Sequence, residues 1–374
     1  MLGFTVFASQ FPSFLFSLFG GIAADRYNRY KVLLITQVAS MIQAVALAIL
    51  TLTNHYNVWG ILILSVILGM INAFDVPARQ PLIHEMVTDK ADLPNALALN
   101  SSMVNLARLV GPALSGIILL KFGAGICFAL NAVSFVAVIG SLLLMKLPAY
   151  VPSSVKKKMG ADLVEGIIYL KNTPPLGMIL LMLGLTSLLV LPYNTLLPVF
   201  AKVIYRGDAA TFGYINSFIG LGAICGSVFL ASLKPKTDLK IVLLINTIVF
   251  GVSLALFSHL VNFPLAMLFT AIAGFGMMSQ TTIFMTIIQV NSDKEMRGRM
   301  MSYVAMAYFG MLPLGSLLIG FVSQHIGSPN TLLCEGLIAI IMAAVFAKFL
   351  LKDKRALKNR KQEEEINEII AEEV

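Results

Sequence analysis

The chain has 374 residues, of which 58% are hydrophobic and only 12% are charged, and its mean hydropathy is +0.86. A soluble globular domain usually carries about 25% charged residues, so this composition excludes an ordinary soluble fold. The alternating ten-residue segments of a membrane β-barrel are also absent. The net charge of +8 indicates cytoplasmic loops rich in lysine and arginine beside anionic lipid, and no nucleic-acid partner is expected.

The apolar residues fall into runs of about 20, the length at which a helix crosses roughly 30 Å of hydrocarbon. The eleven runs are 3–24, 32–53, 58–77, 98–120, 125–147, 177–200, 211–233, 240–260, 263–289, 299–322 and 330–351. The sequence therefore predicts an all-α polytopic membrane protein with about 11 transmembrane helices.

The longest polar segment divides the runs into five before it and six after it. It contains "ADLVEGIIYLKNTPPL", which is typical of an amphipathic interfacial helix closed by two prolines. The predicted units are an N-terminal bundle at 1–147, a central cytoplasmic loop with this helix at 148–176, a C-terminal bundle at 177–351 and a charged cytoplasmic tail at 352–374.

Lysine and arginine concentrate in alternate loops, which places those loops and the C-terminus in the cytoplasm and the start of the chain outside. The other loops are short and carry few bases. One of them departs from this pattern, because "KVIYRGD" at 202–208 carries two bases on the predicted outer side.

The segment 88–123 resembles the segment 292–327 at a constant spacing. Three glycine pairs carry the match: Gly111 with Gly315, Gly116 with Gly320, and Gly123 with Gly327. Parallel repeats of this kind are typical of carriers whose two halves rock about a central site. The repeated unit opens the fifth helix of the second half but only the fourth of the first half, so we expect one helix to be missing from the front.

Three motifs resemble the major facilitator superfamily. "GGIAADRYNRYK" is similar to its signature loop, G-x-x-x-D-R-x-x-R-[RK], at Gly21, Asp25, Arg26 and Arg29. "FDVPARQ" at 74–80 and "ARLVGPALSG" at 107–116 resemble the enterobactin-exporter and macrolide-efflux-like branch. The resemblance implies a two-bundle fold lacking the first helix, a bacterial cytoplasmic membrane, and efflux.

The signature loop has two interpretations. Arg26 and Arg29 beside Asp25 either anchor the loop in the cytoplasm or form a conformational latch with Gly21, which opens when the protein changes state. Asp75 and Arg79 lie four residues apart, so they either pair across one helical turn or take part in coupling.

Arg108, with Asn105 one turn before it, lies about ten residues into an apolar run. A charge at that depth is costly unless it faces a cavity or a partner, so these residues either line the coupling and substrate path or snorkel to an interface. Gly111, Pro112 and Gly116 resemble the antiporter motif of drug exporters, and their small size favours close helix packing.

Glu335 lies inside an apolar run of the second half, where it either exchanges protons or lies near the outer surface. Four polar residues of that half either line a substrate path or form hydrogen bonds between helices: Tyr193, Asn194, Asn216 and Gln280.

No phosphate-binding G-x-x-x-x-G-K-[ST] pattern and no cluster with metal-ligand spacing occurs, so we expect no cofactor, no metal and no enzyme activity. The predicted function is secondary active transport by a monomer, in which protons drive export of an amphipathic small molecule such as a drug, a siderophore or a lipid-like compound. The alternatives are solute or lysolipid uptake or flipping, and a truncated membrane protein that does not transport.

Overall fold

The computed structural model describes residues 2–53, 57–87, 92–145, 159–234, 237–293 and 296–372, and within these ranges the regular elements are all helices. The first half contains α1 (Leu2–Arg26), α2 (Arg29–Leu52), α3 (Val58–Met86) and α4 (Leu93–Leu144). The linker contributes α5 (Met159–Asn172). The second half contains α6 (Pro174–Leu189), the short α7 (Leu197–Val199), α8 (Ala209–Ala231), α9 (Leu239–Phe257), α10 (Phe263–Asn291), α11 (Arg297–Ala305), α12 (Met311–Ile326) and α13 (Ser328–Glu372).

Within the described ranges, nine segments are long and apolar enough to cross a membrane. They begin with α2 and end with the first part of α13, Ser328–Leu350. Within the described ranges, each of the eleven apolar runs of the sequence lies mainly in helix. The two numbers differ because α1 is not among the nine and because Leu114–Leu144, counted as one segment, contains a chain reversal. The expected all-α polytopic architecture is confirmed.

That reversal is at Gly123, which has φ 79° and ψ 172° within α4. Cys127 Sγ lies 4.0 Å from the carbonyl oxygen of Ser115, twelve residues earlier, whereas a continuous helix would separate such residues by about 18 Å. Gly327, its partner in the sequence repeat, joins α12 to α13 with φ 81° and ψ 154°. The two repeats therefore reverse direction through the same glycine conformation, which other residues rarely adopt.

The membrane-spanning segment Pro174–Ile204, which begins with α6, is not a regular α-helix throughout. It narrows to a 3₁₀-helix at Leu191–Thr195 and, after α7, widens to a π-helical turn at Phe200–Ile204. Pro192 explains the first change, because a proline has no N–H to donate to the carbonyl four residues earlier, here that of Leu188. Gly315 of α12 packs against this carbonyl.

Helices pack mainly within each half: α1 on α3, and α2 on α3 and α4, in the first half, and α8 and α9 on α10, and α9 on α13, in the second. The two halves meet mainly where α1 packs on α12 and where α4 packs on α8; α1 also contacts the 3₁₀ segment Leu191–Thr195 and the π-helical turn Met306–Gly310. These pairs place a helix of each repeat at the boundary between the halves, as a two-bundle carrier requires.

The linker helix α5 is attached to the second half. Glu165 accepts a 2.7 Å ion-pair contact from Arg299 of α11, and the Tyr169 hydroxyl accepts a 3.1 Å hydrogen bond from the backbone N–H of Asp293. Gly166 lies against the ring of Tyr303. A helix is thus present where the sequence predicts one in the linker, and it contacts Arg299 and the residues just before α11, at the predicted inner end of the C-terminal helices.

Candidate functional site

Small residues bring the two halves into backbone contact. A Cβ atom on Gly116 of α4 would lie 2.7 Å from the carbonyl oxygen of Ala209 and 3.1 Å from Gly213 Cα, both on α8. A Cβ atom on Gly3 of α1 would lie 2.5 Å from the carbonyl oxygen of Ser316 on α12. At these distances only glycine lets the helices approach so closely. Both contacts lie toward the predicted outer face.

The other two members of the predicted packing motif differ from Gly116. A Cβ atom on Gly111 would meet no described atom within 4 Å, so the close packing expected at Gly111 is not observed. The reason is position, since five residues at about 100° each turn Gly111 roughly 140° around the helix from Gly116, away from α8. The side chain of Pro112 lies outside what the structure describes, although its backbone is part of α4.

Asp75 is buried between α2 and α3, where its side chain accepts hydrogen bonds from three residues. Thr36 Oγ1 and Gln37 Nε2 of α2 donate at 3.0 and 2.6 Å, and Arg79, one turn further along α3, forms an ion pair at 2.5 Å. The ion pair of Asp75 with Arg79 across one turn corresponds to one of the two interpretations of these residues, and their part in coupling stays a prediction. The sequence motifs do not identify Thr36 and Gln37 as partners of Asp75, although polar residues inside the apolar run 32–53 indicate that some buried contact exists.

Most of the signature motif is helical, and Tyr27 and Asn28 form the break between α1 and α2. Asn28 Oδ1 accepts hydrogen bonds from the backbone N–H groups of Tyr30 and Lys31 at 3.0 and 3.3 Å, so α2 begins at Arg29 because Asn28 caps it. The side chains of Asp25 and Arg26 lie outside the described set.

Gly21 of the same motif has no described atom within 4 Å of an added Cβ, whereas its neighbour Gly20 packs against the backbone of Ala73 on α3. Close approach of α1 to α3 is therefore made through Gly20. Arg108 and Asn105 both lie on the first limb of α4, and their side chains lie outside the described set.

Glu335 is fully buried about two turns into α13, and neither of its carboxyl oxygens has a hydrogen-bond partner among the described residues. The carboxyl group lies within electrostatic reach of Tyr193, which is 1% exposed on the 3₁₀ segment. Glu335 is thus inside the protein but only about two turns from the predicted outer end of α13, so proton exchange by this residue stays a prediction. A buried acid without a partner is uncommon, because burial of an unpaired polar group is costly.

Further unpartnered polar atoms occur in the core of the second half. The Tyr193 hydroxyl donates only to Met277 Sδ, at 3.5 Å, and Gln280 Oε1 has no partner among the described residues. Asn216 donates to the carbonyl oxygen of Phe212 on its own helix and does not join helices. Hydroxyl oxygens that are buried and unpartnered within the described set are those of Thr186, Ser187, Ser217 and Ser279.

Comparisons with known sequences agree with this architecture. The sequence profile of the family described as "Transmembrane secretion effector" matches residues 1–374. The chain is 28% identical to the staphyloferrin A transporter of Staphylococcus aureus, covering 92% of this chain and 86% of that protein. It is 24% identical to the multidrug efflux pump Tap of Mycolicibacterium fortuitum (92% and 85% covered) and 25% identical to the enterobactin exporter EntS of Salmonella choleraesuis (80% and 71% covered).

Solved structures with the same fold include the nucleoside transporter NupG, with a TM-score of 0.75 at 13% identity over 93% of this chain and 90% of that one. A D-xylose-proton symporter has a TM-score of 0.71, also at 13% identity, over 93% and 87%. The fold is therefore that of membrane transporters with two helical bundles. With the family profile covering the whole sequence, the chain belongs to the transmembrane secretion effector family of the major facilitator superfamily.

Proposed function

We propose that this multi-pass membrane transporter exports an amphipathic small molecule in exchange for protons. The named relatives support this proposal, since they export or transport siderophores and drugs. The observation that carries the coupling is the burial of Glu335 with both carboxyl oxygens unpartnered in the described structure.

An ionised carboxylate without a partner in membrane-spanning surroundings costs several kcal/mol, so these surroundings favour a Glu335 that carries a proton. The titratable groups of the described chain that interact with it are Tyr193 and Cys334, and neither supplies a positive charge. The carboxyl group therefore releases its proton only after its surroundings change. This property couples the protonation of Glu335 to the conformation of the protein.

The places where the halves touch support an order of steps for this exchange. Gly116 with Ala209, and Gly3 with Ser316, close the two halves toward the predicted outer face. In our proposal, opening of these contacts admits protons from outside to Glu335 and releases the exported molecule. Reclosure buries the protonated acid, and the following step delivers its proton to the cytoplasm while a new molecule binds.

The remaining sequence candidates take supporting roles in this proposal. Asp75 and Arg79 couple movements of α2 and α3 near the inner face, and Gly21, Asp25, Arg26 and Arg29 act as the inner latch. Arg108 and Asn105 line the substrate path. The protein works as a monomer in the bacterial cytoplasmic membrane with its C-terminus in the cytoplasm, and it transports its substrate without chemical conversion.

The test is transport by the purified protein in proteoliposomes with an imposed pH gradient. Staphyloferrin A, enterobactin and ethidium serve as probes because the relatives transport siderophores and drugs. We expect gradient-driven movement of at least one probe, with proton counterflow seen by an internal pH dye. Glu335→Gln should abolish the dependence on the gradient, whereas Asp92→Asn, at an exposed acid, should retain it.

Two results would contradict the proposal. Gradient-driven transport by Glu335→Gln at the wild-type rate would remove Glu335 from coupling. Movement of the probe in the same direction as the protons would indicate uptake in place of export.

A further inference from the structure

A cleft of about 580 Å³ lies between the end of the π-helical turn Phe200–Ile204 and the start of α10. Its lining residues are Ile204, Tyr205, Arg206, Thr211, Val261 and Phe263. This volume falls within the usual range for small-molecule sites. The cleft coincides with the segment 202–208, whose two bases depart from the base-poor pattern of the other predicted outer loops.

Arg206 is the one non-glycine residue with positive φ in the described chain, at 49°. The backbone N–H groups of Tyr205 and Gly207 close the helix end by donating to the carbonyl oxygens of Phe200 and Ala201, each at 2.9 Å. Glycine usually occupies such a left-handed position after a helix. Here glycine follows at 207, where it packs against Thr211, and an arginine is kept in the unfavourable conformation. Residues held in this way concentrate at binding sites.

The charge of Arg206 is not neutralised within the described structure, because no ion pair or hydrogen bond of its side chain occurs there. The nearest acid in sequence, Asp208, caps α8 by accepting hydrogen bonds from Thr211 N and Oγ1 at 3.0 and 3.3 Å. The backbone N–H of Thr211 holds the pKa of Asp208 below its usual range. The Asp208 carboxylate is thus already engaged, and the guanidinium of Arg206 remains exposed.

The other wall of the cleft is apolar and fixed. The Tyr205 ring lies edge-on to Phe263 with centroids 5.4 Å apart, and its hydroxyl donates to the carbonyl oxygen of Leu260 at 2.9 Å. Burial raises the pKa of Tyr205 to about 12, so this hydroxyl stays neutral at physiological pH. Val261 beside it is 77% exposed. A cation and an apolar surface therefore share one cleft.

We propose that this cleft binds an amphipathic organic anion, whose carboxylate or phosphate pairs with Arg206 while its apolar body lies on Tyr205 and Phe263. Guanidinium groups suit this task because their planar donors match both kinds of anion. The anion comes from one of two sources, a soluble molecule at the outer face or an anionic lipid headgroup. The site is separate from Glu335, and binding to it needs no proton gradient.

The test measures binding of 1-naphthoate, a soluble anion with an apolar ring body, by isothermal titration calorimetry. The full chain is held in nanodiscs of phosphatidylcholine, and a second preparation contains phosphatidylglycerol in addition. Arg206→Gln should weaken naphthoate binding about tenfold, as expected for loss of a charged hydrogen bond. Lys202→Gln, which removes an exposed base of the same segment outside the cleft, should change it less than about twofold.

Arg206→Gly separates binding from folding. Glycine adopts a φ of 49° without strain, so this variant should melt at or above the wild-type temperature while binding naphthoate as weakly as Arg206→Gln. A loss of affinity without a loss of stability is the result expected from a binding residue.

The two preparations distinguish the source of the anion. Naphthoate binding that depends on Arg206 in both preparations supports a soluble anion. Competition by phosphatidylglycerol that disappears in Arg206→Gln supports a lipid headgroup. Equal effects of Arg206→Gln and Lys202→Gln, or no Arg206-dependent binding in either preparation, would overturn the proposal. Because no gradient is applied, this result is independent of the outcome for proton-coupled export.

Discussion

Gln37 on α2 donates a 2.6 Å hydrogen bond to the carboxylate of Asp75 on α3, and this bond joins two helices at a position where Asp75 is 4% exposed. Thr36 and Arg79 complete its set of donors. Glu335 is more deeply buried, at 0% exposed, but its carboxyl oxygens have no hydrogen-bond partner in the described chain. The two buried acids therefore have different surroundings. Neighbouring side chains stabilise the carboxylate of Asp75, whereas the burial of the Glu335 carboxyl group is unfavourable.

We expect Asp75→Ala to destabilise the protein more than Arg79→Ala. Removal of the carboxylate leaves the buried amide of Gln37 without an acceptor, which costs about 1–3 kcal/mol. The Arg79 side chain is 59% exposed, so its removal should cost less than about 1 kcal/mol. Thermal unfolding of both variants in detergent measures the order, and the reverse order would show that the ion pair dominates this site.

Gly116→Ala should slow transport, because its Cβ would lie 2.7 Å from the carbonyl oxygen of Ala209 and would force α4 away from α8. Overpacking of this kind costs roughly 1–3 kcal/mol in the closed arrangement. Gly111→Ala is the matched control, since a Cβ there meets no described atom within 4 Å. The transport rate of each variant is measured in proteoliposomes. Equal rates for the two variants would show that the α4–α8 contact does not affect the transport cycle.

Glu335→Leu should raise the melting temperature while removing proton coupling. A carboxyl group buried without partners costs free energy that an apolar side chain of similar size avoids, by about 1 kcal/mol or more. Such a gain of stability with loss of activity is typical of residues retained for function. Differential scanning fluorimetry measures the melting temperature of the variant. A melting temperature below that of the wild type would mean that the carboxyl group has a stabilising partner.

The cap of α8 should make a small, pH-dependent contribution to stability. Hydrogen bonds to the ionised carboxylate lower the pKa of Asp208 in the folded protein, so its contribution is present at neutral pH and disappears as the pH falls through that lowered value. The difference in melting temperature between wild type and Asp208→Ala should therefore shrink in acid. Asp208→Asn should keep much of the cap at every pH, because its amide oxygen still accepts.

The sequence alone predicts the membrane-spanning helices and their order along the chain. A run of about 20 apolar residues is a local property, and its length alone specifies a membrane-spanning helix. The repeat also paired Gly123 with Gly327, and in the structure both have a positive φ, a conformation that favours glycine.

The contacts of the buried acids were not predictable in the same way. The hydrogen bonds from Thr36 and Gln37 to Asp75 depend on how α2 and α3 are rotated about their axes. Packing against neighbouring helices sets that rotation, which the apolar run does not encode. For the same reason the sequence did not predict that the side chain of Glu335 is fully buried. The left-handed backbone of Arg206 was also hidden, since arginine gives no signal for it.

The reversals at Gly123 and Gly327 have a consequence for how the chain enters the membrane during synthesis. Each joins two long helices with no intervening loop, so each pair presents only a short tip to the far side of the bilayer. The titratable side chains near these tips are Lys121 in one and His325 in the other. Little polar chain has to be translocated, and each helical hairpin is able to insert as one unit, with its two limbs hydrogen-bonded before they meet lipid.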